Sequence, residues 1–190
     1  MILILTNKRR YVHGSPCSDE CGSQEGDLVT VVGDGAVGLC AIIASKRLGA
    51  DRIIALSRNP SRQKLARIFG ATDIATERGE EATKKVMELT SNLGVDDALE
   101  CVGTGESMTT AFSMARPGSV IGAIGAPHGV VVPIDTVIFR NVGLRGGVAP
   151  VRRYIPDLLD DVLHLNGIKE AHAMMNDRLA VKSLLKMGDI

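Results

Sequence analysis

A doubly wound α/β fold, with a parallel sheet of about six strands and helices on both faces, is predicted by three observations. From Gly26 onward, short β-branched runs alternate with stretches of helical period, the pattern of successive strand–helix–strand units. The first of these runs leads directly into a glycine-spaced turn that opens a helix. Each helical stretch also closes within a few residues of Gly49, Gly70, Gly94 or Pro117, residue types that end helices.

Taken in order, strands are expected at Leu28 to Val32, Arg52 to Leu56, Thr72 to Ala75, Ala98 to Val102, Ser119 to Ile124 and Val142 to Arg145. The helices between them run over Ala36 to Leu48, Pro60 to Phe69, Glu80 to Leu93 and Ser107 to Ala115. Asn59 followed by Pro60 is a strong helix start, because the Asn side chain accepts from free backbone N–H groups and Pro has no N–H to leave unpaired. The flanks differ from this middle. Residues 1–25 show no clean period and read as an irregular segment. Residues 151–190 carry a strongly helical stretch, Val151 to Asn166, a second helical piece around Glu170 to Asn176, and a strand-like Ala180 to Leu185.

Composition narrows the function. Twenty-two basic residues balance twenty-two acidic ones, so the chain lacks the positive field expected of a protein that binds nucleic acid or anionic lipid. With no Trp and few aromatics, base-stacking platforms are not expected either. The apolar Met1 to Leu5 is short and its charges follow rather than precede it, unlike a secretory signal. No apolar run approaches the roughly 18 residues of a spanning helix, and a cytoplasmic protein is expected. Cys40 and Cys101 fall in apolar helix and strand patterns and read as small buried hydrophobes rather than disulfide partners.

The turn Val32-Gly33-Asp34-Gly35-Ala36-Val37-Gly38 places G-x-G-x-x-G between a strand and a helix. In that context Gly33 permits the tight turn, Gly35 lets the backbone approach a pyrophosphate, and Gly38 lets the helix pack close to the strand. Ala36 and Val37 open the helix, whose free N–H groups and dipole favour phosphate. A ligand-free glycine turn is the bland alternative, and the strand–helix alternation on both sides argues against it. The expected domain over residues 26–150 is therefore a Rossmann dinucleotide-binding fold. No Gly-Lys-Ser/Thr follows the turn, which excludes a P-loop.

At the end of the second strand, where an acid would grip the ribose 2′-hydroxyl of NAD, the chain has Ser57 and Arg58, with Arg62 one helical turn on. A hydroxyl and guanidinium groups can bind and neutralise a 2′-phosphate, so these residues favour NADP(H) over NAD(H). A solvated loop remains the alternative for Ser57 and Arg58.

With these residues in view, the chain from about Gly26 to Pro156 resembles the coenzyme domain of medium-chain, zinc-type alcohol dehydrogenases. The resemblance is carried by the phosphate turn, by Phe69-Gly70-Ala71-Thr72-Asp73, by Asp97-Ala98-Leu99-Glu100-Cys101-Val102-Gly103, and by Arg116-Pro117-Gly118 and Ile124-Gly125. It implies that Val102 and Gly103 lie near the adenosine, Ile124, Gly125 and Ala126 near the nicotinamide, and Leu144 to Gly146 along the cofactor's far edge. It also implies reversible hydride transfer to an alcohol or aldehyde with a zinc polarising the oxygen, and pairing of two copies through the edge strand near Val142 to Arg145.

The family's zinc ligands are not expected among these residues, since 25 residues stand ahead of the coenzyme domain here and Lys8 occupies the position where the resemblance places a ligand. His13, Cys17 and Cys21 are spaced more widely than structural zinc prefers, and no metal site or catalytic residue is assigned. Neither Tyr11 nor Tyr154 has a Lys four residues on, and no G-x-S-x-G pattern surrounds Ser113 or Ser119, so short-chain dehydrogenase and hydrolase chemistry find no support. His128 reads as a loop residue at the sheet's carboxyl edge. Asp160 and Asp161 with His164 read as a solvated helix face. Three function classes stay open: an NADP-dependent alcohol dehydrogenase subunit, a nucleotide-binding module without catalysis, and a remnant with an uncovered apolar face.

Overall fold

The computed structural model describes residues 26–147 and two short strands, Leu163–His164 and Leu185–Lys186. The chain divides into two compact units, residues 1–149 and 150–190. In the first unit six strands form one sheet: β1 (Leu28–Val32), β2 (Arg52–Leu56), β3 (Asp73–Ala75), β4 (Val95–Glu100), β5 (Ala115–Ala123) and β6 (Gly143–Gly146). They lie in the order β3-β2-β1-β4-β5-β6, and every neighbouring pair is parallel. The chain winds outward one way from β1 to β3 and the other way from β4 to β6. That reversal puts a crevice above the carboxyl ends of β1 and β4, where open α/β sheets bind ligands.

The central strands are buried along nearly their whole length: Val29 to Val32 in β1, Ile53 to Leu56 in β2, and Asp97 to Glu100 in β4. A sheet covered by helices on both faces buries its central strands in this way. Helices α1 (Ala36–Arg47), α2 (Pro60–Phe69), α3 (Gly79–Leu89), α4 (Gly105–Met114) and α5 (Ile134–Phe139) make the crossovers. One core cluster joins Val86 of α3 and Met108, Phe112 and Met114 of α4 to Ile54, Ala98 and Ile121 of the sheet. The expected α2 start is realised, with Asn59 Oδ1 accepting from Ser61 N at 2.9 Å and Arg62 N at 3.4 Å. Gly49 and Gly70 take positive φ where α1 and α2 end, and Gly94 does so in the turn that follows α3.

Several bounds depart from expectation, each for a local reason. β4 ends at Glu100 rather than Val102, because the Glu100 side chain takes the Val102 and Gly103 N–H groups and turns the chain out of the sheet. β5 begins at Ala115, directly on the end of α4, with a register shift against β4. α3 ends at Leu89, and Ser91 and Asn92 then adopt positive φ. The short α5 carries no helical signature strong enough to be read from sequence. In the second unit, Leu163–His164 pairs in parallel with Leu185–Lys186. The expected helix to Asn166 is therefore wrong at Leu163 and His164, where pairing with a distant segment overrides local propensity. His164 lies in that strand, and Asp160 and Asp161, expected to share a helical face with it, lie outside the described residues. The remainder of that stretch, the helical piece at Glu170 to Asn176, most of the expected strand at Ala180 to Leu185, and residues 1–25 lie outside the described residues.

Candidate functional site

The site begins with the way β1 turns into α1. Gly33 has φ +113°, a conformation that L side chains rarely adopt, and a Cβ there would press on Val102 Cγ2. A Cβ on Gly38 would overlap the carbonyl oxygen of Gly33, so α1 sits against β1 at a distance only glycine allows. Gly35, the N-cap residue of α1, has nothing within 4 Å of a Cβ position and borders open space. No side chain caps α1 and no acid lies in its first turn. Its leading N–H groups at Ala36, Val37 and Gly38 have no acceptor within the helix, and the helix dipole adds positive potential at the same place. By contrast α2 and α4 are capped by Asn59 and Thr104. The uncapped terminus, opening onto space beside Gly35, has the free donors and positive potential that suit an anion.

A cleft of about 500 Å³ opens there, lined by Gly33, Asp34 and Gly35 from the turn, Ser57, Arg58 and Arg62 beyond β2, and Cys101 and Val102 beyond β4. Glu77, Arg78 and Gly79 at the start of α3, and Thr104, Glu106, Ser107 and Thr110 at the start of α4, close its other side. The structure thus gathers most of the expected phosphate-side residues around one opening. Ser57 is buried and held at three points. Its N–H donates to Ala75 O at 2.9 Å, its carbonyl accepts from Gln63 Nε2 at 2.9 Å, and its hydroxyl donates to Asp34 Oδ2 at 2.9 Å. The Arg62 guanidinium donates to Asp34 Oδ1 at 3.0 Å. Arg58 is exposed at the rim.

Beyond β4 the chain is shaped by Glu100, which is fully buried. Its Oε1 accepts from Val102 N and Gly103 N, each at 2.7 Å, and from Ser107 Oγ at 2.8 Å. Thr104 and Ser107 complete a reciprocal cap of α4. Glu100 also binds the next loop through its backbone, its carbonyl accepting from Ile124 N at 2.8 Å and Gly125 N at 2.9 Å. A Cβ on Gly125 would collide with Gly103 N, and one on Gly103 with Ala126 O. Val102-Gly103 and Ile124-Gly125-Ala126 therefore form one welded pair of loops. His128 hangs from the same pair, its N–H donating to Gly103 O at 3.0 Å and its Nδ1 to Ala126 O at 2.7 Å. Leu144 and Gly146 stand on β6 opposite Ile121 and Ala123, outside the cleft.

Burial, with Glu100 and Cys40 adding to it, pushes the Cys101 thiol up, and burial does the same for Cys40. Both are free thiols held neutral. Among the described residues no group of three or more His, Cys, Asp or Glu could hold a metal, and no helix is long and apolar enough to cross a membrane. His13, Cys17 and Cys21 lie outside those residues.

Sequence reasoning missed Asp34, Glu100 and Arg78 as members of the site. Asp34 was legible as an acid inside the glycine turn, but its bonds cross 23 and 28 residues of chain. Arg78 had no local signal.

The model of the zinc-binding dehydrogenase family matches residues 36–163. Over 161 residues the chain is 32% identical to an NADP-dependent isopropanol dehydrogenase of Clostridium beijerinckii, covering 82% of this chain and 45% of that protein. Its counterpart in Thermoanaerobacter brockii is 31% identical, over 80% of this chain and 44% of the relative. Among solved structures, alcohol dehydrogenase TADH from Thermus sp. ATN1 superposes with a TM-score of 0.72 at 29% identity, covering 85% of this chain and 52% of that one. The chain spans about half the length of the relatives it matches.

Proposed function

We propose, for a chain that belongs to the zinc-binding dehydrogenase family as its coenzyme-binding part, that the cleft above β1 and β4 binds NADP(H) for hydride exchange with a small alcohol or its carbonyl counterpart. The observation that carries the reading is the conjunction of an uncapped, acid-free α1 N-terminus beside open space at Gly35 with Ser57 and Arg58 at the end of β2. The N–H groups of Ala36, Val37 and Gly38 would hold the pyrophosphate. Ser57, Arg58 and Arg62 would receive the ribose 2′-phosphate, through a hydroxyl and charge-assisted donors. Val102 and Gly103 would border the adenosine, and Ile124, Gly125 and Ala126 the nicotinamide, with Leu144 and Gly146 along the far edge.

When bound, the dinucleotide supplies the hydride donor or acceptor. The chain's own part is to bind and orient it. The Glu100 bonds keep the two loops at a fixed separation, and the packed Gly33–Gly38 crossing keeps α1 aimed at the phosphates. The isopropanol dehydrogenases among the relatives, NADP-dependent by name, support both the cofactor and a small alcohol. The described residues do not supply a zinc ligand set, and no step is assigned to that metal. A homodimer through β6 and a place in the cytoplasm complete the proposal.

Arg58→Asp tests the assignment. Reversing the charge beside a dianionic phosphate should weaken NADPH binding by about tenfold or more, with NADH binding nearly unchanged in parallel titrations. Equal losses for the two cofactors would sink the 2′-phosphate assignment.

A further inference from the structure

We propose that Asp34 sets how strongly this cleft distinguishes a ribose 2′-phosphate from a ribose 2′-hydroxyl, acting from the phosphate turn as the acid that the end of β2 lacks. The inference rests on reading the Ser57–Arg58 corner as the place of the ribose 2′ position. Both Asp34 carboxylate oxygens face that corner: Oδ2 accepts from Ser57 Oγ at 2.9 Å and Oδ1 from the Arg62 guanidinium at 3.0 Å. Two of the donors a 2′-phosphate would use are thus already engaged by an anion.

Charge balance points the same way. The charged side chains lining the cleft are Arg58, Arg62 and Arg78 against Asp34, Glu77 and Glu106, a formal net charge of zero. An incoming 2′-phosphate must share Ser57 and Arg62 with a carboxylate of its own sign, and like charges brought together oppose binding. A neutral 2′-hydroxyl meets no such opposition and can donate to the carboxylate, as it does to the acid that marks NAD sites of this fold. Asp34 therefore holds down a preference for NADPH that Arg58, free at the rim, creates. Sequence reading alone finds no acid at the end of β2; the fold brings one there from the preceding turn.

The test is a titration of the purified chain and its Asp34→Asn and Arg58→Ala variants with NADPH and NADH, each variant first shown to melt cooperatively. Asp34→Asn keeps the shape and removes the charge. Its NADPH dissociation constant should fall by about tenfold while that for NADH stays level or rises, moving the NADH-to-NADPH ratio of dissociation constants up. Arg58→Ala should move the ratio down. If Arg58→Ala lowers the ratio while Asp34→Asn leaves it unchanged or weakens NADPH, the Asp34 proposal fails and the 2′-phosphate corner stands. If neither variant moves the ratio, the corner itself has been misread and both ideas fall. Should Asp34→Asn not fold, Asp34→Ala removes the same charge and is read in the same way.

Discussion

Cys101 stands at the exit of β4, buried beside Glu100, where a thiolate is strongly disfavoured. Its pKa is raised in the folded protein, chiefly by burial, whereas in an unfolded chain a thiol ionises near pH 8.5. A group whose folded pKa is raised contributes stability that is whole below the unfolded value and is lost as pH rises through and beyond it. The chain should therefore lose stability above about pH 8.5, and Cys101→Ala should flatten that alkaline limb when denaturant midpoints are compared between pH 7 and 10. An unchanged slope would show that the thiol is reached by water. At this same scale the phosphate-turn glycines were legible in the sequence by their spacing, and Gly38 answers to a neighbour within the turn, the Gly33 carbonyl, whereas the Val102 side chain beside Gly33 comes from far along the chain. Ser57 was legible by its place after β2. Its partner Asp34 was not, because a hydrogen bond across 23 residues exists only once β1 and β2 pair side by side.

Elements answer to two kinds of cause, local capping and distant pairing, and the first is the more readable. Asn59 and Pro60 announce α2, and the structure places Asn59 Oδ1 on two free N–H groups. Asn59→Ala should destabilise the chain by about 1 kcal/mol, read as a shift in urea midpoint at unchanged slope. No shift would mean that water satisfies those groups equally well. Distant causes set the remaining bounds. β2 is tied to β3 by Arg52, whose guanidinium grips Asp73 with bonds of 2.8 and 2.9 Å and also reaches Leu89 O at the end of α3. The Arg52 bonds, foremost, and the Thr72 hydroxyl hold the Asp73 carboxyl below its ordinary range. The start of β5 likewise depends on β4, and Leu163–His164 on Leu185–Lys186. Such segments show their own propensity in sequence but not the neighbour that overrules it.

The six strands and their alternation with helices were readable from the residues alone, whereas the order β3-β2-β1-β4-β5-β6, and with it the crevice at the switch point, is a property of the folded sheet. What surrounds the sheet was less readable. α5 leaves Phe139 84% exposed and Ile138 65% exposed, next to an edge strand whose Leu144 is 39% exposed. Exposed large apolar side chains of this kind are the surface through which the proposed pairing would run. Phe139→Asp should shift the chain toward monomer in sedimentation velocity; a monomeric parent chain at the same concentration would contradict the proposed pairing through β6.

The central claim is that the crevice between β1 and β4 is an NADP(H) site. Isothermal titration of the purified chain with NADPH and NADH, side by side at one ionic strength, tests it most directly. The account predicts saturable binding of both near one site per chain, with NADPH the tighter. Tighter NADH binding, or no saturable binding of either, would contradict it.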